Sequence, residues 1–155
     1  MYKKILVPLD GSKLAECVLP HVESIAKGCG VREVIFLRVV EPFHLQTSGD
    51  GFSLSDKDLK RIDSETRADA ENYLSQLVNQ IKYDGVNVRK EVIIGKSIES
   101  IAEYATKNDV DLITIATHGR SGVNRWVWGS VADRILRSAC VPVLMVRAPG
   151  CVPGI

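Results

Sequence analysis

Two periodicities alternate along this chain. Short apolar runs of strand type lie at Lys4–Leu9 (KILVPL), Glu33–Val40 (EVIFLRVV), Val86–Ile94 (VNVRKEVII), Leu112–Ala116 and Pro142–Val146. Between them, apolar residues recur every three or four positions, as one buried face of a helix requires. One such face carries Leu14, Cys17, Val18, His21, Val22 and Ile25 and runs from about Ser12 to Lys27. A second, within Lys60–Tyr83, carries Ala70, Tyr73, Leu74, Leu77, Val78 and Ile81. A third carries Ile98, Ile101, Ala102 and Ala105 and ends near Asn108, and a fourth spans Val131–Ser138. Strand and helix in strict alternation predict an open five-stranded parallel α/β sheet with helices on both faces, Rossmann-like and in one domain.

Punctuation agrees with this division. Ser12 and Ser97 are candidate N-caps, since a hydroxyl accepts from a free N–H of the first turn. Pro20 inside the first helical pattern predicts a kink or an irregular turn. Gly28-Cys29-Gly30 supplies a glycine that can take positive φ at a helix end, and Asp84-Gly85 closes the second helix. Residues Phe43 to Leu59 are polar, rich in Gly and Ser and without a clear period, so they are expected to form a long surface loop. The tail 148–155 is rich in Pro and Gly and is expected to fray.

Composition narrows the classes of function. Among 155 residues, 45% are hydrophobic and 25% charged, as in an ordinary globular domain. A net charge of +1 provides no broad basic field, which argues against sequence-independent nucleic-acid binding. No apolar run approaches the ~20 residues of a membrane-spanning helix. The N-terminal MYKKILVPLDGS lacks the h-region and cleavage site of a signal peptide, so a cytoplasmic protein is expected. Four cysteines, Cys17, Cys29, Cys140 and Cys151, form no CxxC and no zinc-like spacing with His. They read as free thiols, with Cys17 and Cys140 placed on apolar faces of helices or at their ends.

The chemistry concentrates in Asp111–Val146, DLITIATHGRSGVNRWVWGSVADRILRSACVPVLMV. An apolar strand ends at Thr117-His118-Gly119, a basic, glycine-rich loop follows, and Gly129-Ser130 opens a helix. Loop amides and a helix N-terminus at the end of a strand favour an anion, most often phosphate. Open sheets of this class bind ligands outside the carboxyl ends of the strands where strand order reverses. The first and fourth strands are the expected pair there, which sets Asp10 opposite the glycine loop. A turn-forming role for Asp10, a purely capping role for Ser130 and simple turn roles for Gly119 and Gly122 are the bland alternatives. There is no GxxxxGK[ST], no GxGxxG after the first strand and no GxSxG, so P-loop, dinucleotide and hydrolase uses of the fold are not indicated. His118 has no defined nucleophile partner and reads as orienting the loop by hydrogen bonding. Arg125 reads as a surface charge, and Trp126 and Trp128 as packing or partner-surface residues.

These segments resemble the universal stress protein family almost end to end: KKILVPLDGS, EVIFLRVVEP, DLITIATHGRSGVNRWVWGSVADRIL and VPVLMVR. The nucleotide-binding branch carries a glycine, two residues, a second glycine, nine residues and then Gly-Ser or Gly-Thr. Here Gly119 and Gly129-Ser130 match with nine residues between them, while Ala116 stands at the first glycine and adds a methyl. The resemblance implies strand order 3-2-1-4-5, a domain over 1–147 with a long variable loop at 42–59, and an adenine-nucleotide site. Asp10, beside Pro8 and Leu9, would bond ribose or adenine, and Val39 would meet the adenine. Ile115 and Ala116 would line base and ribose. Gly119, Arg120, Gly129, Ser130 and Val131 would hold phosphates, with His118 and Gly122 shaping the same loop. The implied ligand is ATP, AMP or ADP, with Mg²⁺ or Mn²⁺ held by the phosphates. The implied assembly is a homodimer through antiparallel pairing of Pro142–Val146. With no general base assignable, the expected role is a nucleotide-responsive switch or a module for an unknown protein partner, with slow hydrolysis at most. A true ATPase or phosphotransferase, and an interaction domain that has lost its ligand, are the alternatives.

Overall fold

The computed structural model describes residues 1–43, 55–117 and 130–149, with Ser130 described by its backbone alone. Five parallel strands form one sheet: β1 (Lys4–Pro8), β2 (Glu33–Val40), β3 (Asn87–Ile94), β4 (Leu112–Ala116) and β5 (Val143–Val146). Their spatial order is β3-β2-β1-β4-β5, as expected. Among the described residues four α-helices connect them: α1 (Leu19–Cys29), α2 (Asp56–Gln80), α3 (Ser97–Lys107) and α4 (Ser130–Ser138). The chain winds outward from β1 through β2 to β3, then returns to β1's other side as β4.

The sheet divides two cores. Ile5, Val7 and Leu9 of the β1 segment, with Val34 and Phe36 of β2, pack against Val18, Val22 and Ala26 of the first helical connection and Leu74 and Leu77 of α2. Leu6, Ile35, Leu37, Ile113 and Ile115 face the other way, onto Ile101, Tyr104 and Ala105 of α3 and Ala132 and Ile135 of α4. Burial on both faces is why β1, β2 and β4 read as continuous apolar runs. Each fully buried Ile, Leu, Val or Phe contributes about 1.5–3 kcal/mol of transfer free energy.

Local differences from the periodic pattern have physical causes. The first connection is not one helix from Ser12. A 3₁₀ turn (Ala15–Val18) precedes α1, with Pro20 in α1's first turn, where its missing N–H costs nothing. The Ser12 hydroxyl still caps, accepting from the Ala15 N–H at 3.1 Å. Gly30 ends α1 at φ 63°. Helix α2 begins at Asp56, four residues before the periodic pattern does, because Ser55 caps it: its hydroxyl accepts from the Asp58 N–H at 3.2 Å and Asp56 and Asp58 sit in the first turn. Apolar period could not reveal this turn, since Leu59 is its one apolar residue. The same helix stops at Gln80, and Ile81 turns extended while still packing on the core. Of the loop expected at 43–59, residues 44–54 lie outside the described residues, as do 150–155 of the tail. Cys17 is half-buried, but Cys140 is exposed on the link between α4 and β5 and does not pack as a small hydrophobe.

At the N-terminal rim of the sheet, Asp111 fastens β1 to the entry of β4. One carboxylate oxygen accepts the backbone N–H groups of both Lys3 and Lys4, each at 2.8 Å. The Asp111 N–H in turn donates to the Lys4 carbonyl at 2.9 Å. Asp111→Ala removes the acceptor for two amides at once. It is expected to lower unfolding free energy by about 1–3 kcal/mol, measured by urea denaturation, and an unchanged midpoint would show the clamp to be idle.

Candidate functional site

The crevice begins with a proline. Along β1, backbone groups alternate sides: Lys4 faces β4 through the Asp111 bond, and Leu9 faces β2, donating to the Leu37 carbonyl at 2.9 Å. Pro8 therefore faces β4 with no N–H to give. The β1–β4 ladder runs only through Ile5 paired with Leu112 and Leu6 paired with Ile113. Beyond it the described residues of β1 and β4 are not paired, at the position where strand order reverses.

Asp10 stands at the β1 side of that opening. Its carboxylate accepts from the Ser12 N–H at 2.9 Å and the Ser12 hydroxyl at 2.6 Å, while Gly11 takes φ 84°. The turn-forming and site-forming readings of Asp10 are thus compatible, since the turn holds the carboxylate in place. On the β4 side, backbone alternation is set by the Ile113 N–H donating to Pro142 and the Thr117 N–H donating to Val146. Ala116 consequently turns its backbone toward β1. Ala116 is buried, 8% exposed, and belongs to the core with Leu9, Ala15 and Val146. Ile115, also at the end of β4, is buried in the opposite core. Val39 sits near the end of β2, half-buried on the α3–α4 face and paired with Ile93. Pro8, Leu9, Asp10, Ile115 and Ala116 are thereby brought together at the switch point, with Val39 one strand away. Val131, in the first turn of α4, is exposed. His118, Gly119, Arg120, Gly122 and Gly129 lie outside the described residues, as does the side chain of Ser130.

Helix N-termini point toward this end of the sheet, and two carry protein caps. Helix α2 has Ser55. At α3, Ser97 is the first helical residue and not the cap: its N–H donates to the Glu41 carboxylate at 2.9 Å. Hydrogen bonds from the Ser97 backbone and hydroxyl, aided by Lys96, hold the Glu41 carboxyl below its ordinary value against the opposing effect of partial burial. An acidic side chain thus occupies the seat an anion would take at α3.

Beside Asp10 lies a polar group not anticipated from the sequence. Arg38 of β2 donates to the Leu9 carbonyl at 3.4 Å. Glu16, in the 3₁₀ turn, accepts from the Tyr73 hydroxyl of α2 at 3.1 Å and from Lys13 at 2.9 Å. Arg38 could have been noticed as a charge interrupting a buried strand near its crevice end. Glu41 could have been noticed as a carboxylate directly after that strand. Tyr73 had no such signal, because an aromatic at helical spacing reads as core. Among the described residues no group of three His, Cys, Asp or Glu side chains is arranged to hold a metal ion, and no helix is long and apolar enough to cross a membrane.

A fully parallel sheet in the order β3-β2-β1-β4-β5 with helices on both faces defines a doubly wound α/β domain. Residues 1–147 match the universal stress protein family, and the chain belongs to it. It is 31% identical over 150 residues to the universal stress protein MJ0531 of Methanocaldococcus jannaschii, covering 96% of this chain and 84% of that protein. It is 29% identical to MJ0577 of the same organism, covering 95% and 96%. The solved structure of MJ0577 superposes with a TM-score of 0.83 over 97% of this chain and 99% of that one. The fold is also that of a universal stress protein from Archaeoglobus fulgidus solved in complex with dAMP, at a TM-score of 0.60 and 24% identity over 93% of this chain and 97% of that one.

The Glu41 cap makes a pH-dependent contribution. Because the folded carboxyl titrates below its ordinary value of 4.5, the contribution is fully present above that value. It is lost as pH falls through the lowered folded value. Glu41→Ala should cost about 1 kcal/mol at neutral pH, the usual worth of a capping side chain. The mutant and wild-type unfolding midpoints should converge as pH drops below 4.5. A constant gap across that range would exclude the carboxylate as the cause.

Proposed function

We propose that this chain binds an adenine nucleotide, ATP or its relatives AMP and ADP, in the crevice between the ends of β1 and β4. It would act in the cytoplasm as a nucleotide-responsive stress-response switch or partner-binding module, with at most slow hydrolysis. The observation that carries the reading is the Asp10 carboxylate pinned by Ser12 just after β1, where the pairing of β1 with β4 has stopped. Asp10 takes the ribose or adenine hydrogen bond, and Val39 and Ile115 flank the base. The phosphates lie toward Gly119, Arg120, Gly129 and Ser130, where glycines admit phosphate oxygens close to amides and α4 begins. That Glu41 and Ser55 cap α3 and α2 supports assigning the phosphates to α4. Ala116, the departure from the family's glycine, packs its methyl in a core, which supports a backbone role at the crevice. Mg²⁺ or Mn²⁺ would be held by the phosphates. The Archaeoglobus fulgidus relative, with dAMP, supports an adenine nucleotide as the ligand class.

The site reading is tested by thermal shift with millimolar ATP and Mg²⁺. Saturating ligand at about 100 times its Kd should stabilise the wild type by about 2.7 kcal/mol. Gly129→Val should abolish the shift and leave the unliganded melting temperature near wild type. Absence of any wild-type shift would sink nucleotide binding, and a full shift in the variant would move the phosphates elsewhere.

The proposed assembly is a two-fold homodimer through β5. The sheet's two edges differ: β3 exposes Arg89, Lys90 and Glu91, charges that discourage pairing, whereas β5 is Val-Leu-Met-Val. An apolar edge invites a second copy of itself, antiparallel and self-complementary. Light scattering at micromolar concentration should give twice the chain mass of 17.0 kDa. A monomer there would count against the pairing.

A further inference from the structure

Hydrogen bonds joined by one step along the backbone, from Ala15 to Glu16, lead from the Asp10 turn to α2. The Asp10 carboxylate accepts from Ser12. The Ser12 hydroxyl accepts from the N–H of Ala15, the first residue of the 3₁₀ turn. Glu16 is the next residue of that turn, and its carboxylate accepts from Tyr73, 57 residues away in sequence. The Glu16 side chain is only 14% exposed. Its position is thus shared between the turn that carries Asp10 and the helix that carries Tyr73. Arg38 fastens the same segment from β2, at the Leu9 carbonyl. Burial, then the Glu16 and Asp10 carboxylates, push the Tyr73 phenol well above its ordinary range, with Arg38 opposing. The hydroxyl therefore stays protonated, and it donates to the Glu16 carboxyl oxygen at 3.1 Å.

Two other polar contacts reach α2, the Phe43 N–H donating to the Asp63 carboxylate at 2.9 Å and Lys90 of β3 donating to the Ser75 hydroxyl, but neither ends on the Asp10 segment. Ala70, Leu74 and Leu77 hold the helix to the sheet by apolar burial, which is non-directional and tolerates small shifts. The Tyr73–Glu16 bond is directional and ends on the turn whose geometry sets Asp10. We propose that Tyr73 is a positioning residue of the nucleotide site, acting through Glu16 to hold the Asp10 turn and so linking occupancy of the crevice to the packing of α2. This rests on the nucleotide reading above. It assigns α2 as the element through which a bound nucleotide is sensed at a distance.

The test uses the full chain with ATP and Mg²⁺, read by calorimetric Kd and by amide hydrogen exchange. Tyr73→Phe deletes one hydroxyl and keeps the ring. It should weaken ATP binding by about three- to tenfold, the net worth of one hydrogen bond. Glu16→Ala should do the same, and the double variant should be no weaker than either single one, because both break one link. Glu16→Gln keeps an acceptor oxygen and should bind within twofold of wild type. ATP should slow exchange of α2 amides around Tyr73 in the wild type and in Glu16→Gln, but not in Tyr73→Phe. Additive losses, weakened binding in Glu16→Gln, or an exchange response surviving in Tyr73→Phe would each overturn the positioning role. So would equal Kd values for wild type and Tyr73→Phe, with the nucleotide reading intact. No ATP binding by the wild type would instead remove the nucleotide reading, and this inference with it.

Discussion

Everything at the candidate site depends on a hydrogen bond that cannot form. Pro8 closes the central strand facing β4, and it has no N–H to offer. Pairing between β1 and β4 therefore ends early, while β1 and β2 stay paired through Pro8 and Leu37. In a doubly wound sheet the connection after β1 leads toward β2 and the one after β4 leads toward β5, so neither need cross the gap between β1 and β4. The missing donor and the reversal of strand order coincide, and the Asp10 turn stands directly above them.

The polar groups around the opening divide the work. Asp10 is oriented by Ser12, and Ser12 by the turn that leads into α1. Glu41 caps α3 from within the protein. That cap reserves one helix terminus for a structural carboxylate, so an anion entering the crevice is not drawn to α3. Arg38 and Tyr73 approach from β2 and α2, bringing elements remote in sequence onto one short segment of chain.

The alternation of strands and helices, the two-sided burial of β1, β2 and β4, and Asp10 at the switch point were all legible in the residues. These features are local or strictly periodic. A buried parallel strand must be apolar throughout, a helix must show one apolar face, and a strand-end aspartate before Gly-Ser must turn. The family pattern of Gly119 and Gly129-Ser130 was legible as spacing, and Ala116 as its exception. Less legible were segments whose stability has no apolar signature. The first turn of α2 has Leu59 as its one apolar residue and is set by the Ser55 cap, so periodicity began it late. The first connection broke into a 3₁₀ turn and a helix because Ser12 caps Ala15 and Pro20 prefers a first helical turn.

Order and kind of element, then, belonged to the sequence, because each is decided by residues within a few positions of one another. Partnership between distant side chains did not. Whether Ser97 is a cap or is itself capped depends on Glu41, 56 residues earlier. Whether Tyr73 is core or tie depends on Glu16, 57 residues earlier. The direction of Ala116's methyl depends on which face of β4 meets the 3₁₀ turn. Those outcomes follow from strand order and helix packing, which juxtapose residues by three-dimensional closure and leave no period or spacing in the chain to record it.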